Sequence, residues 1–158
     1  MALASFAKDN GERITTVEAA IKVNEVRIDR VVDIIKSSAG KLANMRIGVL
    51  GATFKDDTDD LRESQAIKLI ERLKKENAIV IVYDPRAKSI PISGIGRAAT
   101  AEECINESTV IVVATEWHEF KDISKYTKDK LIVDAKRILD QKDFKNFRAI
   151  GLGGKHES

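Results

Sequence analysis

From Met45 onward, short runs rich in Val and Ile alternate with stretches of helical pattern, and this alternation narrows the possible folds more than any other feature of the chain. The runs are Arg46–Leu50, Ile79–Tyr83, Val110–Ala114, Leu131–Val133 and Arg148–Leu152. Continuous apolar character of this kind marks strands buried on both faces. Between them lie helical segments at Ser64–Glu76, closed by Asn77, and at Thr100–Asn106, opened by the capping box Thr100-x-x-Glu103. Glu116–Phe120 fits a short helical turn. Repeated strand–helix units with right-handed crossovers imply an α/β fold, a Rossmann-like parallel sheet flanked by helices. Residues 84–99 hold both prolines and read as loop.

The first 40 residues carry no strand signal. Ile14, Val17, Ile21, Asn24, Ile28, Val31 and Ile35 recur at alternating spacings of three and four, an a/d seam along one helix face. Thr15-x-x-Glu18 fits a capping box and Gly40 the C′ position. Residues 16–39 then form a rod of about 36 Å. Val23, Val26, Val32 and Ile34 widen its apolar surface beyond the seam, so the helix is expected to pack on a partner as well as on its own body. Ala2–Asn10 reads as a shorter helix ending at Gly11, and Gly153–Ser158 as a frayed tail. The division expected is a helical segment, 1–40, and a Rossmann-like domain, 41–158.

Composition removes several functions. Lys plus Arg number 27 against 25 Asp plus Glu, too even for a nucleic-acid or membrane footprint. No apolar run approaches the ~20 residues that cross a bilayer. The N-terminal residues lack the pattern of a signal peptide, and a single cysteine fits the reducing cytoplasm.

The loop Gly51–Ser64 carries the candidate chemistry. It follows one strand and opens a helix, which places it at the carboxyl edge of the sheet, where open α/β folds bind ligands. Lys55 is a point charge suited to phosphate or carboxylate, and Phe54 offers a face to a sugar or base. A plugged Phe54 beside a solvated Lys55 is the bland alternative. Asp56, Asp57, Asp59 and Asp60 lack the glycine and closing glutamate of a calcium loop; they read as an acidic turn before a helix N-terminus, with Arg62 by default paired among them and a reach to a phosphate as its alternative. The glycines do not spell G-x-G-x-x-G, so a self-contained NAD site is not expected. Asp84 sits where a dinucleotide-binding unit grips ribose, but without that fingerprint it reads as a turn cap. Cys104, flanked by acids, reads as a packing residue. His118 and His156 have no partners for a metal or a triad. No catalytic residue and no metal site are assigned.

Gly51-x-x-Phe54-Lys55-x-x-Thr58-Asp59-Asp60-x-Arg62-Glu63-Ser64 resembles the signature of UDP-glucose/GDP-mannose dehydrogenases. Val23-Asn24-Glu25, Tyr83-Asp84-Pro85, Ala114-Thr115-Glu116-Trp117-x-Glu119-Phe120 and Asp134-x-x-x-Ile138-Leu139-Asp140 agree in order. The resemblance implies an enzyme that oxidises a sugar C6 hydroxyl to a carboxylate in two NAD-dependent steps, through a thiohemiacetal on a cysteine. It implies that this chain is the central helix and C-terminal nucleotide-sugar-binding domain, with the NAD-binding domain and reactive cysteine preceding Met1, and that the fragment alone is inactive. Phe54 and Lys55 would contact the UDP-sugar, and Arg62 would reach the NAD. The family's D-G-R stretch falls on Asp134-Ala135-Lys136, so Lys136, or Arg137 beside it, would replace its substrate-binding arginine. Self-association through helix 16–39 also follows, with Asn24 fixing register. GDP-mannose and UDP-N-acetylmannosamine dehydrogenases fit the same motif. The alternative from another class is a non-catalytic oligomerisation module.

Overall fold

The computed structural model, which describes residues 15–150, turns the alternating pattern into one parallel sheet. Helix α1 is Thr15–Ala39, followed by β1 (Arg46–Leu50), α2 (Gln65–Lys75), β2 (Ile79–Tyr83), β3 (Gly96–Arg97), α3 (Ala101–Asn106), β4 (Val110–Val113), β5 (Leu131–Asp134) and β6 (Asn146–Ala149). Two 3₁₀ helices, His118–Lys125 and Gln141–Asp143, flank β5. The strand order is β3-β2-β1-β4-β5-β6 and every pairing is parallel. That order reverses between β1 and β4, the point at whose carboxyl side open α/β sheets receive ligands.

Side chains alternate along each strand between two apolar layers. Ile47, Val49, Val80, Val82, Val110, Val112 and Val133 face the layer under α1 and α2. Leu50, Ile81, Ile111, Val113 and Ile132 face the layer built from α3 and the longer 3₁₀ helix, where Phe120 and Ile123 are fully buried. Both faces of the sheet are therefore covered, which is why the strands read as unbroken apolar runs.

Local chemistry sets the helix ends. The Ser64 hydroxyl accepts from the Ala66 N–H at the start of α2, and Asn77 closes it at φ 60°. Thr100 accepts from the Glu103 N–H while the Glu103 carboxylate reaches back to Ala99 N–H, a near-reciprocal cap on α3. Lys130 donates to the carbonyls of Ile105, Asn106 and Ser108, so its ammonium caps the far end of the same short helix.

Helix α1 ends at Gly40, with φ 89° and its N–H on the Lys36 carbonyl. Its burial is graded. Val31, Val32 and Ile35 belong to the domain core, whereas Val17, Ile21, Asn24 and Ile28 are half-buried. Val23 and Val26 remain 55% and 58% exposed. Asp29–Arg72 at 3.1 Å and Lys36–Glu76 at 2.9 Å tie α1 to α2.

Three expectations shift. Residues 84–99 contain a two-residue strand, β3, because so short a parallel pairing, Gly96 and Arg97 beside Ile81 and Val82, needs no apolar run. The sixth strand is Asn146–Ala149 rather than Arg148–Leu152: as an edge strand with Arg148 and Ala149 exposed, it lacks the apolar pattern of its neighbours. The helical turn expected at Glu116–Phe120 runs as His118–Lys125. The Ala2–Asn10 helix, Ile14, the Thr15 cap side chain and the Gly153–Ser158 tail lie outside the described residues.

Replacing Ile35, which is fully buried between α1 and the sheet, by Ala is expected to cost about 2–5 kcal/mol of folding free energy. Val26→Ala is expected to stay within about 0.5 kcal/mol. Urea unfolding at protein concentrations dilute enough to keep the chain monomeric measures both.

Candidate functional site

Three loops meet at the carboxyl edge of the sheet: 51–64 after β1, 84–87 after β2 and 114–117 after β4. Each must satisfy backbone groups that the strands no longer pair. Gly51 makes the first turn, at φ 95°. A Cβ on Gly51 would fall 2.4 Å from Cβ of Thr115 and 2.8 Å from its backbone nitrogen, so only glycine allows these two loops to touch. The Thr115 hydroxyl donates to the Thr53 carbonyl at 3.0 Å, and the Ser64 hydroxyl donates to the Ala52 carbonyl at 2.6 Å.

Asp84 accepts from all three loops. Its Oδ2 takes the N–H groups of Ala52 (2.7 Å) and Thr53 (3.1 Å), the Thr53 hydroxyl (3.1 Å) and the indole N–H of Trp117 (3.2 Å). Its Oδ1 takes the N–H groups of Arg86 (2.9 Å) and Ala87 (2.8 Å). Burial by itself would raise the carboxyl pKa; the N–H groups of Ala52, Ala87, Arg86 and Thr53 outweigh it and hold the group below its usual 3.8. The turn-cap reading of Asp84 is correct for Arg86 and Ala87, but the larger share of its bonds goes to other loops. Sequence reasoning missed that share. The signal was present: an acid at the ribose-binding position of a unit without the phosphate fingerprint has no ribose to hold.

Beyond Thr53 the loop rises into solvent. The Phe54 N–H bonds to the Asp60 carbonyl, which closes a small ring of chain. Phe54 is 53% exposed and Lys55 is exposed, so Phe54 does not plug the core. Arg62 lies on the surface against Asp60, Nε to Oδ1 at 3.0 Å and Nη2 to Oδ2 at 2.9 Å. That fork raises the arginine pKa and lowers the Asp60 pKa, each chiefly through their shared hydrogen bonds. Glu63, at φ 59°, turns the chain back into Ser64 and α2.

On the other flank, Asp134 ends β5 fully buried. Its Oδ1 accepts from Lys136 and Arg137 N–H and its Oδ2 from Leu139 N–H. The loop curls around this carboxylate, and Arg137 takes φ 58° to do so. Lys136 then lines a cleft of about 60 Å³ with Asn24 and Arg27 of α1, Gln65 and Ala66 at the start of α2, and Ala114 after β4. Arg137 points elsewhere, exposed. The side-chain oxygen of Gln65 is buried there without a hydrogen-bond partner. Lys136 therefore sits in this cleft, while Phe54, Lys55 and Arg62 form a separate, exposed group on the loop after β1. Arg27 and Gln65 were not singled out from the sequence, because only docking of α1 against α2 brings them to one cleft.

Cys104 is buried in α3, and burial pushes its thiol up to about 12, which suits packing rather than nucleophilic chemistry. Among the described residues, no group of three or more His, Cys, Asp or Glu is placed to hold a metal. None of the described helices is long and apolar enough to cross a membrane. The residues after β1 and β2 do not fit a dinucleotide: Gly51 packs on Thr115, and both Asp84 oxygens are used internally.

Because the folded pKa of Asp84 lies below 3.8, its contribution to stability is present above that value and falls away as pH drops through the folded pKa. Wild type is thus expected to exceed Asp84→Asn in unfolding free energy at pH 5–7, with the gap closing below about pH 4. Urea titrations across that range check it.

Comparison with known proteins places these loops in context. Residues 48–141 match the model of the UDP-glucose/GDP-mannose dehydrogenase family, UDP binding domain. The UDP-glucose 6-dehydrogenase of Rhizobium meliloti is 34% identical, over 97% of this chain and 38% of its own length. That of Rickettsia conorii is 30% identical, over 98% and 39%. The chain spans a little over a third of these relatives. A UDP-glucose dehydrogenase from Pyrobaculum islandicum superposes with a TM-score of 0.81 at 25% identity, covering 92% of this chain and 34% of that one. A GDP-mannose dehydrogenase from Pseudomonas aeruginosa shares the fold, with a TM-score of 0.77 at 21% identity over 94% and 36%.

Proposed function

The chain belongs to the UDP-glucose/GDP-mannose dehydrogenase family and carries its UDP-binding domain, and we propose that it is the nucleotide-sugar-binding part of a UDP-glucose 6-dehydrogenase. The observation that carries this reading is the exposed pair Phe54 and Lys55 at the carboxyl rim of β1, inside the matched region.

In this reading, Lys55 neutralises a phosphate of the UDP-sugar and Phe54 packs on its sugar or base. Lys136, in the cleft beside Arg27, contributes a second cation toward the substrate. A lysine there holds an anion as a point charge, without the two-pronged geometry of an arginine. NAD is held by polypeptide outside this chain, and Arg62 is the contact this chain offers it; release from Asp60 precedes that contact. The fragment then binds substrate without oxidising it. GDP-mannose and UDP-N-acetylmannosamine remain competing substrates.

Self-association through helix 16–39 is the second reading. Val23 and Val26, more than half exposed on α1, support it. The two readings are compatible, but only the first requires a response to nucleotide.

Calorimetric titration with UDP and GDP tests the assignment. UDP is expected to bind more tightly than GDP, and Lys55→Ala to weaken UDP about tenfold, roughly 1.4 kcal/mol. Equal affinities for wild type and Lys55→Ala would remove Lys55 from the site. Mixing the chain with UDP-glucose and NAD is expected to yield no NADH absorbance. For the helix, Val23→Asp with Val26→Asp is expected to lower the mass found by light scattering to that of one chain.

A further inference from the structure

We infer that Asp84 is a positioning residue for the ligand-binding loop, acting through the backbone of Ala52 and Thr53 without touching the ligand. The inference rests on the reading that Phe54 and Lys55 hold the nucleotide sugar. Its geometry stands on its own.

Six donors converge on one carboxylate that is 5% exposed. An ionised carboxylate offers about four lone-pair sites, so both oxygens are saturated. A turn cap needs only the bonds from Arg86 and Ala87. The four remaining donors come from the loop after β1 and from Trp117 after β4, and they fix the distance between those loops. Thr53, which gives two of them, directly precedes Phe54. Lys55 lies two residues further on, at most about 7 Å along the chain. A displacement of the Thr53 anchor therefore reaches Lys55 with little slack.

The other restraints on this stretch converge at the same place. The Thr53 carbonyl is held by Thr115, and the Ala52 carbonyl by Ser64. Every inner backbone group of Ala52 and Thr53 is thus tied down, while the tip at residues 55–57 is exposed. The crevice that receives a dinucleotide in other parallel folds is here closed by Asp84, Thr53, Thr115 and Trp117. The acid that grips a ribose there instead shapes a loop that presents an aromatic and a cation. Four of the six bonds run to backbone N–H groups, so the carboxylate sets the path of the chain itself.

Amide hydrogen exchange and UDP titration on the 158-residue chain test this, at a temperature where every variant is folded. Asp84→Ala is expected to speed exchange across residues 52–64 at least tenfold and to weaken UDP at least tenfold. Asp84→Asn keeps one acceptor oxygen and is expected to recover part of both. Ser108→Ala loses a buried bond to the Cys104 carbonyl at the opposite edge of the sheet; it is expected to lower the melting temperature while leaving loop exchange and UDP affinity unchanged. Should Asp84→Ala not fold, Thr53→Val, which removes only the hydroxyl bond to Oδ2, and Asp84→Asn carry the comparison. Unchanged exchange in residues 52–64, or UDP affinity within twofold of wild type in the folded Asp84 variants, overturns the inference. If wild type itself does not bind UDP, the nucleotide-sugar reading fails, while the exchange data still decide whether Asp84 sets the loop.

Discussion

The loops that leave the carboxyl ends of the central strands must pair backbone groups that the sheet no longer satisfies, and the Asp84 carboxylate is where this chain resolves the problem. Five backbone and side-chain groups from loops after β1 and β2, and the Trp117 indole, converge on it. Water is excluded there, so each of those donors would be costly without a partner. The carboxyl edge is therefore rigid at its base and open at its rim. Phe54, Lys55 and Arg62 stand on that base.

Asp134 repeats the arrangement one loop away. It ends β5 fully buried and collects three N–H groups from the loop that carries Lys136. Strand-end carboxylates thus shape the stretches that carry Lys55 and Lys136. Left-handed backbone at Arg137 accompanies this wrapping. Non-glycine residues hold such angles only where surrounding bonds over-determine them. In a chain with the strand order of a dinucleotide-binding unit, the same internal bonding leaves both the acid and the first glycine occupied by neighbouring loops.

Helix α1 is held differently at its two ends. Its C-terminal half is part of the core through Val31, Val32 and Ile35, and two ion pairs fasten it to α2. Its N-terminal half lies over the cleft that contains Lys136 and leaves Val23 and Val26 in solvent. The helix is thus part of the core at one end and apolar on an exposed face nearer the other.

Most strands, the helices α1, α2 and α3, and the caps at Thr100 and Asn77 are written in local pattern. Apolar runs, three–four spacing and capping residues act over a few neighbours and need no knowledge of the rest. The placement of Phe54, Lys55 and Arg62 on one exposed loop was legible for the same reason: they follow a strand and precede a helix. β3 and β6 were not, since a two-residue rung and an exposed edge strand are stabilised by their neighbours and not by their own composition. The sequence also could not show Asp84 facing Trp117, or Lys136 sharing a cleft with Arg27 and Gln65. Those pairs are separated by tens of residues, and only strand order and the docking of α1 on α2 bring them together. Sequence alone thus determined most of the elements and which loop carries the charge; tertiary structure decided which buried carboxylate holds that loop in place, because hydrogen-bond partners at strand ends are chosen by sheet topology and not by proximity along the chain.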